Sequence, residues 1–285
     1  MKKLTILLFA LLVFGSNEAF AWGSWAHRFI AYTADKHLEP EVKAKVEHYL
    51  GSPIIDHCVW MDQIRKPIRK KDHPDHEAFQ AYRPSLRWHH SVVDEKFKVS
   101  DKRSKIGSGA MMPNLEKCVE NLRNYRNLTD SAVAVNLKYT IHMLQDMHCP
   151  SHIFYTEFPD CFEGLTPGAK SRGFMKVYYE GKKTTFHAIW DGLSLRVIYP
   201  EYGKDYELFR KKLDKYSAKQ RAKICAGTLN DWASDAGKRC RPVYDGVEPG
   251  DHLDRNFLLR HRKISEGQAM RSAYRIAHLL NEIFR

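Results

Sequence analysis

Beyond residue 21 the sequence lacks any run long and apolar enough to span a bilayer, so stable membrane insertion is not expected. It also lacks a CxxC spacing, which argues against a metal site built on paired cysteines. No low-complexity linker and no internal repeat interrupts it, and one domain over residues 22–285 is the simplest reading. Acidic residues are outnumbered, 34 against 46 Lys and Arg, giving a formal charge of +12. Such a surface attracts polyanions such as nucleic acid or anionic lipid heads, although basic charge alone identifies neither.

The first 21 residues read as a secretory signal. Lys2 and Lys3 supply the charged start, and Leu4 to Phe14 is an apolar run too short for a membrane span. Ala19-Phe20-Ala21 is a small-x-small cleavage site. The expected product is a secreted or periplasmic chain beginning at Trp22, soluble and monomeric. Cysteine is scarce but even in number: Cys58, Cys118, Cys149, Cys161, Cys225 and Cys240. In an oxidising compartment that count predicts disulfides, with the pairing left open.

What stands out is a cluster of imidazoles and carboxylates at helical spacing. His142 and Asp146 lie four apart, which puts both on one face of a helix. Pro150 breaks that helix, so His152 approaches from a new direction. His187 and Asp191 repeat the four-residue spacing. One such pair is usually ordinary helix surface, but two pairs with an offset histidine fit the N and O ligands that zinc takes. Further candidates flank them. Trp22 would offer an amine and a carbonyl, with His27 five residues on. Asp62 and Arg65 share a helix face, either as a surface ion pair or as a ligand with a phosphate contact. His89 and His90 are adjacent and cannot both face one site in extended chain, so one is a ligand candidate and the other a bystander. The remaining histidines, His148 and His278 among them, read as packed or surface residues.

The periodicity predicts helices over residues 39–50, 114–125, 130–147, 203–215, 217–237 and 265–284. Residues 66–113 are less regular, and the segment after His152 reads as a loop. A small β-hairpin turning at Gly181-Lys182 delivers His187. The fold class is therefore all-α, a single mainly helical domain with a small hairpin.

In order along the chain, Trp22-Gly-x-x-x-His27, Trp60-Met-Asp62-x-x-Arg65, Trp88-His89, His142-x₃-Asp146-x₅-His152 and His187-x-x-Trp-Asp191 resemble the zinc-dependent, single-strand-specific nucleases. That family is mainly helical, related to the zinc phospholipases C, and holds three zinc ions. The resemblance implies one zinc on Asp62, His89, His142 and Asp146. A second would sit on Trp22, His27 and the bridging Asp146, and a third on His152, His187 and Asp191. It further implies an exported phosphodiesterase hydrolysing single-stranded DNA and RNA to 5′-phosphate products, with nucleotides as possible 3′-nucleotidase substrates. Asp62, Arg65 and Asp146 would carry the catalysis, and Arg65 and His90 would touch substrate. Two positions depart from the pattern. His90 and Val92 stand where relatives have an aromatic and a polar base reader, and sliding the match by one residue would make His90 the ligand. Thr185-Phe186 replaces Asn-Leu. A phospholipase C-like phosphodiesterase and a non-catalytic zinc-binding exported protein are the alternatives. The short Trp22–His27 spacing and the aspartate at 191 favour the nuclease.

Overall fold

A computed structural model describes residues 23–101, 109–158 and 175–285, and it is mainly helical with two small sheets. The chain opens with α1 (Gly23–Asp35), α2 (Pro40–Leu50), and the short α3 (Ile54–His57), α4 (Trp60–Gln63), α5 (Arg65–Arg69) and α6 (His76–Phe79). Strand β1 (Ser91–Val93) leads to α7 (Met111–Arg123), α8 (Asp130–Asp146) and β2 (Ile153–Tyr155). The hairpin β3 (Lys176–Tyr179) and β4 (Lys182–Thr185) runs into α9 (Phe186–Ala188) and α10 (Ser194–Ile198). There follow α11 (Tyr206–Leu213), α12 (Ala218–Cys225), α13 (Leu229–Cys240), β5 (His252–Leu253), α14 (Arg255–Arg260) and α15 (Arg262–Phe284). Among the described residues no helix is long and apolar enough to cross a membrane.

Local chemistry accounts for the boundaries. Pro40 sits in the first turn of α2, where its missing N–H is no loss, and Gly51 ends the helix at φ +80° with its N–H on the Glu47 carbonyl. Thr129 caps α8 by accepting from the Ala132 N–H. The expected single helix over 217–237 is instead two. Gly227 lies at φ +93°, and the reciprocal Thr228–Asp231 capping box restarts the chain as α13. Likewise the expected start at 203 moves to Tyr206, because the Asp205 side chain caps there.

The core is built on α8 and α15. From Tyr139 to Asp146 every residue of α8 is buried, which for a segment holding His142, Gln145 and Asp146 is itself informative. The segment after His152 is not a plain loop: Ile153–Tyr155 pairs in parallel with Ser91–Val93. That pairing brings the His89-His90 stretch beside His152, although some sixty residues separate them in sequence.

The disulfide expectation is corrected. Cys58, Cys118, Cys149, Cys225 and Cys240 are all buried free thiols, and Cys161 lies outside the described residues. Each packs into the hydrophobic core as a small apolar side chain, and none of the five is in a disulfide. Burial raises the thiols of Cys58 and Cys118 to about 12, which makes them poor nucleophiles.

Helix α13 lies against β1 at Gly237, where a Cβ would stand 3.1 Å from a methyl of Val93. The neighbouring Tyr155 hydroxyl donates to the Gly237 carbonyl at 2.9 Å. Gly237→Val is expected to destabilise the protein by roughly 1–3 kcal/mol through overpacking. Urea unfolding checks this, and an unchanged midpoint would show that Val93 gives way freely.

Candidate metal centre

Helix α8 presents His142 and Asp146 one turn apart, with His142 Nε2 at 3.3 Å from Asp146 Oδ2. His27 from α1 comes to 3.5 Å of Asp146 Oδ1 through its Nε2. Asp62 from α4 lies 3.9 Å from His142 Nε2 and from His89 Nδ1. His89 Nδ1 meets Asp146 Oδ2 at 2.9 Å. On the far side His152 Nε2 is 3.2 Å from Asp191 Oδ1, and His187 Nε2 is 3.2 Å from Asp191 Oδ2. All eight of these side chains are buried. Asp191 sits in a π-helical turn, Ile189–Leu193, an uncommon geometry that recurs at functional sites.

The tautomers are set by hydrogen bonds from the opposite ring nitrogen. His142 Nδ1 donates to the Cys58 carbonyl at 2.8 Å, and His152 Nδ1 donates to the His89 carbonyl at 2.5 Å. His27 Nδ1 donates to the Gln145 side-chain oxygen, while Gln145 Nε2 returns a bond to the His27 carbonyl at 3.1 Å. Each of these rings therefore turns its Nε2 toward a carboxylate oxygen. Two acceptors in van der Waals contact repel unless a proton or a metal cation lies between them.

The fit to a metal can be tested on that basis. Buried His27 Nε2, His89 Nε2, His142 Nε2, Asp62 Oδ2 and Asp146 Oδ1 have no hydrogen-bond partner among the described residues. Orphaned buried polar atoms are costly and uncommon, and here they converge. His27, Asp62 and His142 form one group with donor atoms within 4.8 Å of one another; His89, His142 and Asp146 form another. A third joins His152 and Asp191 with Cys149. The residues fit divalent metal ions bound through N and O donors.

Protonation follows the same geometry. Burial works against a charged His142, but the carboxylates of Asp146 and Asp62 outweigh it and lift the ring to about 9. His152 rises to about 9 in the same way, beside Asp146 and Asp191. Burial wins at His27, which falls to about 4, and at His89, which falls to about 3. Burial pushes Asp62 up, while for Asp146 the imidazoles of His152 and His142 overcome burial and hold it well below the ordinary carboxylate range.

The flanking candidates sort clearly. Of the adjacent histidines, His89 points at Asp62, His142 and Asp146, with Trp88 before it packed on Tyr139 at 4.9 Å. His90 also reaches the cluster, on the side of His152 and His187. The chain bends at His89 before β1 begins, so His90 stacks on His152 at 4.7 Å and on Phe154 at 4.5 Å. Val92, at the expected base-reading position, is buried against Phe154 and can read nothing. Thr185 caps α9 by accepting from the Ala188 N–H at 3.1 Å, and Phe186 is fully buried, so that departure serves the fold. Arg65 Nη1 reaches Asp62 Oδ1 at 3.3 Å with its side chain 24 % exposed. Trp22 lies outside the described residues. Its neighbour Gly23 is packed so closely on Asp191 and Gly192 that a Cβ would come to 3.1 Å of the Asp191 carbonyl. Sequence reasoning missed Gln145, the group that orients His27, and Cys149, which stands beside His152 and Asp191. Gln145 offered a signal, as a polar residue inside the buried end of α8; Cys149 offered none beyond its nearness to His152.

Residues 22–285 match the family model described as S1/P1 Nuclease. No curated protein matches the chain.

Metal uptake is expected to release protons. His142 and His152, raised to about 9, are cationic at neutral pH and must become neutral to bind, whereas His27 and His89 already are. Zinc titration calorimetry at pH 7 in buffers of different ionisation enthalpy should report about two protons displaced, with affinity falling as pH is lowered. Proton-independent binding would contradict the assigned ring states. Gln145→Met should keep the fold but free the His27 ring, weakening metal affinity about 10–100-fold in chelator competition. Unchanged affinity would show that Gln145 does not position His27.

Proposed function

Because the chain belongs to the S1/P1 nuclease family, we propose that it is an exported zinc-dependent endonuclease. Its substrates are single-stranded DNA and RNA, its products carry 5′-phosphate ends, and 3′-phosphate removal from nucleotides is a second activity. The family makes the protein a hydrolase acting on nucleic acids. The observation that supports the metal reading is the convergence of buried imidazoles on Asp146, with the nitrogens that His27 and His142 turn toward it, and its own Oδ1, left without a hydrogen-bond partner among the described residues.

Three zinc ions account for the donor set. Asp62, His89, His142 and Asp146 would hold one; His27 and Asp146, with the amine and carbonyl of Trp22, a second; His152, His187 and Asp191 a third. When bound, zinc supplies a Lewis acid for the phosphoryl oxygens and brings the pKa of a bound water toward neutrality. The chain's own residues do the rest. Asp146 would be shared between the first two sites, because its two oxygens face different imidazoles: Oδ1 faces His27, and Oδ2 faces His89 and His142. Asp62 anchors the Arg65 guanidinium, and the remaining N–H donors of that group bind a phosphate oxygen as charge develops. His90, held flat between His152 and Phe154, forms a wall beside the residues that would hold the third ion and limits where a nucleotide rests.

A side-by-side assay tests this reading. Protein beginning at Trp22 is given single-stranded DNA, duplex DNA, RNA and phosphatidylcholine, with and without chelator, beside protein carrying one extra alanine in front. Cleavage confined to the single strands and abolished by chelator is expected, with 5′-phosphate ends. The extended form should be zinc-deficient and much slower, because a peptide nitrogen has its lone pair delocalised and is a poor ligand. Phosphatidylcholine hydrolysis without nucleic-acid cleavage would overturn the function. Equal zinc and equal rates in the two forms would remove only the terminal-amine ligand.

A further inference from the structure

Away from the metal centre, α12, α13 and α15 surround a cavity of about 450 Å³. Lys223, Arg239, Arg271 and Arg275 line it against two carboxylates, Asp231 and Asp235. Asp231 is already engaged, accepting from the Thr228 N–H and hydroxyl in the α13 capping box. Asp235 alone faces three guanidiniums, with Arg239 at 2.7 Å, Arg275 at 2.9 Å and Arg271 at 3.8 Å. One carboxylate cannot neutralise three such charges, so the cavity keeps a positive excess.

The arginines differ in what they have left to offer. Arg275 is buried and spent: it donates to the carbonyls of Ile224 and Trp232, to His148 Nε2 at 2.8 Å and to Asp235. It acts as a fixed charge in the wall. Arg271 is mostly buried, yet among the described residues it makes only the 3.8 Å ion pair and no hydrogen bond. Burial lowers Arg271 below the usual guanidinium range and brings Arg275 down to about 10, so both cations would be stabilised by an added anion. Lys223 is exposed at the rim. One wall is the ring of Tyr216, held edge-on by Tyr274 at 5.6 Å, and Ile224 adds apolar surface below it.

We infer that this cavity is a second nucleotide-binding site, in which Arg271, Lys223 and Arg239 take a phosphate and the Tyr216 ring takes the base or sugar. Its volume suits a small ligand, and the combination of unspent guanidinium donors with one aromatic wall suits a phosphate joined to a flat ring. The phosphate could arrive on a free mononucleotide or as one link of a strand. The site does not depend on the metal-centre reading, since none of its lining residues belongs to that cluster.

Calorimetry on the full chain tests it with adenosine 5′-monophosphate, inorganic phosphate and a four-nucleotide thymidine strand as separate probes. Wild type should bind the mononucleotide saturably. Arg271→Gln and Lys223→Gln should each weaken it, together by about tenfold, while Asp191→Asn, at the metal centre, should leave it within about twofold. Tighter binding of the strand than of the mononucleotide would assign the cavity to a strand link, and the reverse order to a free nucleotide. No saturable binding overturns the proposal, as does binding that Asp191→Asn abolishes and Arg271→Gln spares. Inorganic phosphate binding as tightly as the mononucleotide overturns the Tyr216 contact. Lys223→Gln lies at an exposed position and tests the site even if Arg271→Gln fails to fold. Both variants keep the metal centre, so their rates on single-stranded DNA report separately on the nuclease reading.

Discussion

The Asp146 carboxylate is the interaction on which this structure depends. It is fully buried and has four imidazoles within 3.7 Å, those of His27, His89, His142 and His152. A lone buried carboxylate costs several kcal/mol, and one left without partners would destabilise the fold severely. Here the imidazoles hold it ionised, and α1, α4, α8, the stretch before β1 and the turn after Pro150 all converge to supply its surroundings. Removing that convergence would leave α8 with His142, Gln145 and Asp146 in a wholly buried turn and nothing to satisfy them.

The rest of the scaffold orients what Asp146 gathers. Backbone carbonyls of Cys58 and His89, and the amide of Gln145, take the outward ring protons and turn the inward nitrogens toward carboxylates. These partners come from elements far apart in sequence, so the ring states are a property of the packing and not of any one segment. The two small parallel strands serve the same end. By pairing Ser91 with Ile153 they carry the preceding His90 against His152, and the glycine at 237 lets α13 lie close behind them. The C-terminal end of α8 also faces the other way. His148, two residues past Asp146, accepts from Arg275, so the basic cavity and the metal centre share the rigid end of one helix.

Much of this was legible before any coordinates. The spacing of His142 with Asp146 closes to 3.3 Å within α8 as α-helix geometry requires, and His187 with Asp191 closes to 3.2 Å although the chain passes from α9 into a π-helical turn between them. The helices over α2, α7 and α8 and the hairpin turning at Gly181 were readable from periodicity, from Pro40 and Gly51, and from the turn residues. The break at Gly227 was present in the sequence too, as a glycine followed by a Thr-x-x-Asp capping signal within an otherwise helical pattern.

Other features depend on which distant segments pack together, and no local pattern encodes that. Residue types and spacing made His89 and His90 equivalent candidates; the bend before β1 and the pairing of β1 with β2 decided that His89 meets Asp146 while His90 stacks on His152. An even cysteine count predicted disulfides, but the fold buries the five described thiols unpaired in its core. The three arginines around Asp235 come from two helices, and nothing in their spacing says that they share one carboxylate. Sequence alone determined the helical class and the two ligand-like pairs, because those are short-range consequences of helical turns, a regular 3.6-residue turn for the first pair and a wider one for the second. Tertiary structure alone decided the ring tautomers, the shared carboxylate and the basic cavity, because each needs atoms that only long-range packing brings within a few ångströms.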